Sequence, residues 1–414
     1  MDTAATIAEP RLKGVGKIEF IAMMAMLMAL NALAIDMMLP GLQQIGASLG
    51  VENENHRQYV ISAYLLGFAF AQLAYGPLAD RFGRRPPLLF GMAVYILAAG
   101  AAMLAPTFGT LLALRFVHGI GSAATRVITV SIIRDVFGGR KMAEVMSLVM
   151  MVFMIVPVVA PGIGQVVMIF GEWHLIFAFM AAIALIATVW ISLRLPETLD
   201  PADRRPFTPG VIVNGFGLVL RNRVAFCYTM ASAILFGSLF GFINSAQQVY
   251  VGIYELGTMF PVVFAGVAMF MALSSFLNSR LVGRFGMRRL SHGALIGFMT
   301  VSFIWFALSM VFGYLPFPLF LVLFALAMFQ FGLIGSNFNA LAMEPLGHLA
   351  GTGSSVLGFM GTAGGGLIGA LIGQSFDGTT TPLAAGYFSV SILGMVFVLI
   401  AEKGRLFQPH HQPV

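Results

Sequence analysis

The chain has 414 residues, of which 59% are hydrophobic and only 10% are charged, and its mean hydropathy is +0.91. Soluble domains carry about 25% charged residues, so this composition excludes a soluble globular protein and predicts a polytopic membrane protein. The net charge is +6, but no basic stretch forms a soluble domain, so we do not expect a nucleic-acid partner.

Twelve apolar segments follow one another, each close to the length of about 20 residues that a helix needs to cross a bilayer. They lie at residues 18–40, 58–79, 87–105, 108–133, 142–168, 174–195, 224–250, 256–278, 290–313, 316–340, 350–373 and 383–402. The longest polar break separates six segments from six. We therefore predict an all-α integral membrane fold with a six-helix half at 1–195, a cytoplasmic linker at 196–223 and a second six-helix half at 224–414.

The first segment carries an acid near its outer end. From residue 18 to 35 only Glu19 and Asn31 are strongly polar, and Asp36 follows. A charged side chain at the centre of a spanning helix is unfavourable by about 2.5–3.5 kcal/mol, and less so near an end. Asp36 should therefore face protein or water. It is either a proton or substrate site or a carboxylate in the headgroup region.

Basic residues are strongly biased to one side of the predicted membrane. With twelve spans both termini lie on one side, and that side holds 20 of the 23 Lys and Arg residues. These are Arg11, Lys13, Lys17, Arg81, Arg84, Arg85, Arg134, Arg140, Lys141, Arg194, Arg204, Arg205, Arg221, Arg223, Arg280, Arg284, Arg288, Arg289, Lys403 and Arg405. Because positive residues are retained on the cytoplasmic side, both termini are predicted to be cytoplasmic.

An internal repeat supports the division into two halves. The loop after the second span reads GPLADRFGRRP, and the loop after the eighth reads SRLVGRFGMRR. At a constant offset of 203 residues, Leu78, Arg81, Phe82, Gly83 and Arg85 recur as Leu281, Arg284, Phe285, Gly286 and Arg288. The acid Asp80 has no counterpart, because Gly283 stands in its place. Two related six-helix halves are the architecture of one large transporter class, with a pseudo-twofold axis along the membrane normal.

Two arginines in the fourth span, Arg115 and Arg126, are eleven residues apart, close to three helical turns, and so share a face. A guanidinium stays charged and is costly in lipid, so this face should line a central cavity. Arg115 and Asp36 lie at comparable depth, and a direct or water-bridged pair between them is one prediction. His118, one turn below Arg115, either titrates or is a hydrogen-bonded structural residue.

Other spans contribute candidate substrate contacts with less specific patterns. In the seventh span, Phe236, Phe240 and Asn244 recur every four residues, and the fifth span contains Met151 and Phe153 on soft, adaptable surface. The predicted substrate-binding set is Asn31, Asp36, Arg115, Met151, Phe153, Phe236, Phe240 and Asn244. For each aromatic or methionine residue, ordinary packing or contact with lipid is the alternative.

Four motifs within residues 31–165 resemble one transporter family. GPLADRFGRRP resembles the signature loop of the major facilitator superfamily, and LALRFVHGIGSAATR resembles its fourth-span R-x-x-x-G-x-G pattern. PVVAPGIGQ resembles the Pro/Gly-rich fifth-span motif associated with antiporters. NALAIDMMLPGL is similar to the first-span motif of drug:proton antiporters, most closely the bicyclomycin/chloramphenicol-resistance (Bcr/CflA) group.

The resemblance implies a gating role for the signature loop and the fifth span. In the loop, Asp80 is expected to accept hydrogen bonds from the N-terminus of the eleventh span, where Thr352 and Ser354 are candidate caps and the helix dipole is positive; the alternative is a loop that only sets topology. In the fifth span, proline bends a helix and glycine permits close packing, which would seal a leak path. The predicted gating residues are Gly76, Asp80, Arg81, Gly83, Arg84, Arg85, Arg126, Pro157, Pro161, Gly162 and Gly164.

Two positions depart from the family pattern and bear on the substrate. His118 stands where the group usually has glutamine, and Met28 stands where cation-exporting relatives carry a second acid. With one acid and up to two arginines, the cavity favours neutral, zwitterionic or anionic compounds over dications. Since no GxxxxGK[ST], HExxH or Cys/His cluster occurs, we predict no enzyme activity, no catalytic residues, no metal and no cofactor besides the coupling proton.

The resemblance therefore implies a monomeric proton-coupled antiporter of the bacterial inner membrane, which exports small lipophilic compounds such as phenicol-like drugs by alternating access. Asp36, Arg115 and His118 are its predicted proton-coupling residues. Its expected partners are a small-molecule substrate, protons and membrane lipid. The alternatives are a proton-coupled metabolite exporter or importer on the same scaffold, and a non-transporting membrane receptor or assembly protein.

Overall fold

The computed structural model describes residues 14–204 and 209–408, excepting the side chains at 139–140, 143, 153–154, 209, 211–212 and 347–354. Within that part every regular element is helical, and 12 helical segments are long and apolar enough to cross a membrane. The all-α, twelve-span prediction is confirmed. The α-helices are α1 (Lys17–Asp36), α2 (Leu42–Ser48), α3 (Tyr59–Phe82), α4 (Arg85–Ala102), α5 (Phe108–Val136), α6 (Gly139–Ile169), α7 (His174–Arg194), α8 (Pro209–Arg221), α9 (Arg223–Gln247), α10 (Phe260–Phe285), α11 (Met287–Phe312), α12 (Phe317–Met343), α13 (Ala350–Gln374) and α14 (Thr381–Ala401).

The first span is shorter as an α-helix than the apolar pattern predicted. α1 ends at Asp36, a 3-10 turn follows at Leu39–Gly41, and α2 continues to Ser48. Pro40 explains the break, because proline lacks a backbone donor and disfavours helical backbone in the residue before it. Asp36 therefore lies at the last α-helical position of the span.

Two further details were not visible in the hydrophobic pattern. The linker predicted at 196–223 contains the helix α8, and the seventh span continues past α9 as a π-helical stretch, Gln248–Ile253. α8 has 13 residues, too few to span a bilayer, so a search for membrane-spanning apolar segments assigns it to the linker.

The helices are grouped into two compact units. The first unit runs up to Glu52 and resumes at Ala63–Pro209, and the second comprises Asn53–Ser62 and the residues from Gly210 onward. In the first unit α1 packs against α5, α6 and α7, and α4 packs against α5 and α7. In the second, α9 packs against α12, α13 and α14, and α11 packs against α12 and α14.

Glycines set the closest helix contacts in both units. In the first unit, a Cβ atom added at Gly119 would overlap the carbonyl of Tyr64 on α3. In the second unit, one added at Gly369 would lie 2.5 Å from Cβ of Phe240 on α9, and Gly365 contacts the neighbouring Phe236 in the same way. Such close approach between spanning helices requires small residues. These close contacts set the distance between α3 and α5 in the first unit and between α9 and α13 in the second.

Candidate functional site

Arg115 is fully buried inside the first unit and holds the end of α1. Its Nη2 donates to the carbonyl oxygen of Ala34 at 2.9 Å, and its guanidinium lies 4.6 Å from the ring centroid of Tyr64 and 5.8 Å from that of Phe177. The last four carbonyls of a helix have no partner within that helix. Ala34 provides one of them because α1 ends at Asp36. The arginine therefore caps the helix that carries the candidate acid.

His118 is fully buried beside Arg115. Arg115 Nη1 lies 2.9 Å from His118 Nδ1, and the ring centroids of His118 and Tyr95 are 4.1 Å apart. A guanidinium can only donate, so Nδ1 must be the acceptor and the imidazole is neutral with its proton on Nε2. In this arrangement His118 is a structural acceptor for Arg115.

Asp36 is 4% exposed, and its Oδ1 accepts no hydrogen bond from the described residues. No ion pair joins it to Arg115 in that part of the chain, so the direct pair considered from the sequence is not formed here. The reason is that the guanidinium is turned toward Ala34 and His118. Arg115 instead contacts the backbone at Ala34, two residues before the acid.

Two other predicted substrate residues are buried amides with unused hydrogen-bonding groups. In the first unit Asn31 is 5% exposed, and its Nδ2 has no partner among the described residues. In the second, Asn244 is 1% exposed, and neither its Oδ1 nor its Nδ2 has one. Buried polar atoms are nearly always hydrogen-bonded, so groups left over in this way call for a specific explanation. Contact with a ligand is one.

The remaining predicted substrate residues are less distinctive in the structure. The side chains of Phe236 and Phe240 are half-buried and lie against glycines of α13, and the ring centroid of Phe236 is 5.3 Å from that of Phe331. Met151 is 54% exposed on α6, and the side chain of Phe153 lies outside the described residues. Packing between α9 and α13 therefore accounts for both phenylalanines, and their predicted role in binding substrate stays a prediction.

In the signature loop, Arg84 is the central residue. Its Nη1 lies 2.5 Å from Asp80 Oδ1, and its Nε lies 2.6 Å from Oδ2 of Asp135 at the end of α5. Burial alone would lower the pKa of Arg84, but the hydrogen bonds that it donates to Asp135 and Asp80 outweigh burial and raise this pKa. The side chains of Thr352 and Ser354, the candidate caps of the eleventh span, lie outside the described residues, and the predicted contact of Asp80 with that span stays a prediction. Within the first unit Asp80 pairs with Arg84.

Glu197, just after α7, is a residue that sequence reasoning missed. Its Oε1 accepts from the backbone N–H of Arg84 at 2.8 Å, and its Oε2 accepts from that of Arg85 at 3.1 Å. It thus caps the N-terminus of α4, where free N–H groups and the helix dipole favour a carboxylate. The one hint in the sequence was an acid directly after Pro196 at the end of the sixth span.

Gly83 makes room for this carboxylate. Its φ is +94°, and a Cβ atom added there would lie 2.5 Å from Glu197 Oε2. The other loop residues are peripheral: Arg81 is exposed and stacks on Phe82, and Arg85 donates to the carbonyl oxygen of Ser192. Of the three loop arginines, Arg84 is the one whose ion pairs are seen among the described residues, and the predicted gating role of all three stays a prediction.

The second unit contains a comparable cluster that the sequence did not single out. Arg288, the repeat partner of Arg85, donates to Glu402 at 2.8 Å and to Glu344 at 2.9 Å. The Tyr228 hydroxyl donates to Glu402 at 2.7 Å and lies 2.9 Å from Nε2 of His292. The signal was available, since the repeat placed Arg288 and two acids follow the tenth and twelfth spans.

The fifth-span motif lies inside the continuous helix α6, which contains both Pro157 and Pro161. Gly164 contacts the carbonyl group of Met37, so α6 touches the chain directly after Asp36. Gly76 lies in the last third of α3 and is partly buried, as is Gly162 on α6. Arg126 is exposed on α5, with its guanidinium 6.0 Å from the ring of Phe68. These positions leave the predicted gating roles as predictions.

The family model described as Major Facilitator Superfamily matches residues 20–370. A bicyclomycin resistance protein homolog of Haemophilus influenzae is 32% identical over 88% of this chain and 91% of its own length. The multidrug resistance protein MdtL of Escherichia coli is 29% identical over 93% of this chain and 96% of its own length. Among solved structures, the E. coli xylose transporter XylE in a partially occluded inward-open conformation has a TM-score of 0.71 at 13% identity, covering 93% of this chain and 97% of its own.

Both the matched residues and the likeness to a curated relative extend over most of the chain, and the fold agrees with that of a solved transporter. The chain therefore belongs to the major facilitator superfamily and is a membrane transporter with 12 candidate spans.

Proposed function

We propose that the chain is a proton-coupled antiporter that exports small lipophilic compounds across the bacterial inner membrane. The names of two relatives, a bicyclomycin resistance protein homolog and a multidrug resistance protein, support drug-like cargo. The single observation that carries proton coupling is Asp36, a buried acid whose Oδ1 has no hydrogen-bond donor among the described residues. Arg115 and His118 support it by fixing the end of α1.

The exchange follows from the surroundings of the Asp36 carboxyl. Ionising a buried carboxyl with one oxygen that lacks a donor is costly, so the site needs either a proton or a polar substrate group close to the acid. When the site opens to the outside, a proton binds; when it opens to the cytoplasm, substrate binds and the proton leaves. The proton and the substrate cannot occupy the site at Asp36 together, so each crosses the membrane in the opposite direction, which gives antiport by alternating access.

The charge of the site favours neutral, zwitterionic or anionic substrates. Asp36 is the buried acid at the last position of α1, and the position two turns earlier is Met28, which is 1% exposed. Arg115 and Arg126 contribute positive charge on α5. A dication would lack a second carboxylate and would meet these arginines, so we expect it to be a poor substrate.

The proposed orientation has both termini in the cytoplasm, because 20 of 23 Lys and Arg residues fall on that side of the spans. We propose that the transporter acts as a monomer and needs no cofactor besides the proton. An importer or metabolite exporter on the same fold would move its substrate in the opposite direction or would not confer drug resistance. A receptor would show no ligand-coupled proton movement.

The test is transport by Asp36→Asn in inverted membrane vesicles, with bicyclomycin and chloramphenicol as probes. Wild-type vesicles are expected to accumulate a probe when a proton gradient is applied, and Asp36→Asn vesicles are not. The matched control is Glu54→Gln, an exposed acid before α3 that should leave accumulation unchanged. Gradient-driven accumulation by Asp36→Asn at the wild-type level would remove Asp36 as the coupling site.

A further inference from the structure

The short helix α8, Pro209–Arg221, presents an apolar stripe to the outside of the molecule. Val213 is 69% exposed and Leu220 is 54% exposed, and the two are seven residues, about two helical turns, apart. They therefore form one stripe along the helix. Large apolar side chains exposed together in this way usually mark a surface that something covers.

The opposite side of α8 is buried within the second unit, to which the helix belongs from Gly210 onward. Val219 is fully buried, and the ring centroid of Phe216 lies 5.6 Å from that of Phe359 on α13. The exposed stripe is therefore held in a fixed direction by the residues that pack behind it.

A polar stripe runs beside the apolar one. Asn214 and Arg221 are both exposed and again are seven residues apart, one position after Val213 and Leu220. Arg223, which begins α9, is also exposed. A helix with an apolar stripe flanked by basic residues is typical of segments that lie in the membrane interface.

The position of α8 in the chain agrees with a location in the membrane interface. It lies between α7, which ends at Arg194, and α9, which starts at Arg223, so it joins the ends of two candidate spans. Those ends lie on the side that carries 20 of the 23 basic residues. Arginine near a membrane surface pairs favourably with anionic phospholipid headgroups.

We propose that α8 is an interfacial lipid-binding helix, with Val213 and Leu220 at the boundary between headgroups and acyl chains and Arg221 and Arg223 on the phosphates of anionic lipids. This site is independent of the transport site at Asp36. Bilayer lipid is the occupant, because the stripe combines apolar and basic character at the end of two spanning helices.

The test uses the full-length protein in lipid nanodiscs. Val213→Cys and Asn214→Cys, each combined with Cys227→Ala, are labelled with an environment-sensitive fluorophore, and quenching by lipids brominated near the headgroup is measured. We expect strong quenching at position 213 and weak quenching at its neighbour 214, which points into water. Equal quenching at both positions, or none at 213, would overturn the proposal. So would disulfide formation between copies through Val213→Cys, since it would assign the stripe to a self-interface.

The anionic-lipid part of the proposal has its own measurement. Replacing some phosphatidylcholine by phosphatidylglycerol should increase quenching at position 213, and the double variant Arg221→Gln/Arg223→Gln should abolish that increase. Each arginine near an anionic surface favours contact by about fivefold at moderate salt. The matched control is Arg280→Gln/Arg284→Gln, which removes the same charge from exposed positions on α10. If both double variants respond alike, general charge rather than α8 attracts the lipid.

Discussion

The environment of Arg115 shows structural contacts that its sequence motif did not predict, and its role in proton coupling stays a prediction. It donates to the carbonyl of Ala34 and to His118, and it lies against the rings of Tyr64 and Phe177. A charged donor on a helix-end carbonyl is worth about 2 kcal/mol, because the alternative is a buried carbonyl without a partner. Arg115 thus stabilises the end of α1, where Asp36 lies.

We predict that Arg115→Ala loses active export, whereas Arg115→Lys retains part of it. Lysine keeps the charge but cannot reproduce the planar fork that reaches Ala34 and His118 together. The measurement is gradient-driven uptake into inverted vesicles, normalised to the amount of inserted protein. His118→Gln is the companion variant, since glutamine can still accept from Arg115 and should preserve export. If Arg115→Ala exports normally, its contact with Ala34 is dispensable.

Gly83 and Gly286 occupy equivalent positions in the repeat but differ in their surroundings. Both have positive φ, at +94° and +80°. A Cβ at Gly83 would meet the Glu197 carboxylate, whereas one at Gly286 meets nothing within 4 Å. The first glycine is required by conformation and by space, and the second by conformation alone.

We therefore predict that Gly83→Ala destabilises the protein more than Gly286→Ala does. Alanine at positive φ costs about 1–2 kcal/mol at either site. At Gly83 displacement of Glu197 adds the loss of charged hydrogen bonds, about 1.5–3 kcal/mol each. Thermal denaturation of both variants in the same detergent measures the difference. A lower Tm for Gly286→Ala than for Gly83→Ala would contradict this account.

At the scale of elements, the ends of the spanning helices are fastened by buried ion pairs. In the first unit Arg84 joins the loop after α3 to the end of α5, and in the second Arg288 joins α11 to the residues after α12 and α14. The side chain of Glu402 is fully buried, whereas that of Glu344 is 37% exposed. The two acids should therefore differ strongly in importance.

We predict that Glu402→Gln lowers the stability of the second unit by about 3–5 kcal/mol, because it leaves buried Arg288 without its main counter-charge. Glu344→Gln is the matched control and should cost less than about 1 kcal/mol, since a partly exposed pair is weakened by solvent. Thermal denaturation of the two variants, together with Arg288→Lys, measures these differences. Equal effects of the two Glu→Gln changes would show that burial does not set the strength of this cluster.

At the scale of the whole molecule, the segment Asn53–Ser62 belongs to the second unit although its sequence lies in the first half. Amide side chains hold it there. Asn55 Nδ2 donates to the carbonyls of Gln374 and Phe376, and its Oδ1 accepts from Gln248 at 2.7 Å. Gln58 donates to Gln248 at 2.5 Å. Mutual bonding of this kind makes the cluster cooperative, so loss of one member weakens the others.

We predict that Asn55→Ala increases backbone hydrogen exchange both in residues 53–62 and around Gln374. Asn53→Ala is the control, because the Asn53 side chain caps only the local turn by accepting from the backbone N–H of Asn55 at 2.9 Å. It should affect the first region and spare the second. Mass spectrometry of the protein in nanodiscs reports both regions, and protection near Gln374 that Asn55→Ala leaves unchanged would remove the cluster as the attachment.

The twelve spans and the superfamily could both be predicted from the sequence. Hydrophobic length, the repeat and the motif residues are local properties, and the bilayer requires long apolar helices whatever their neighbours are. Asp36 was identifiable because an acid far from the cytoplasmic end of an apolar segment stands out without any knowledge of the fold.

Which polar groups meet could be learned from the folded chain but not from the sequence. The guanidinium of Arg115 contacts Ala34 and His118 rather than Asp36. Glu197 and Glu402, which follow spanning helices and have no distinctive sequence pattern, accept hydrogen bonds from Arg84 and Arg288. Hydrogen bonds depend on ångström distances between residues far apart in sequence, such as Arg84 and Glu197, and no local periodicity encodes these distances. The pattern of apolar residues determines what crosses the membrane, and the packing of helix ends determines which charges are paired.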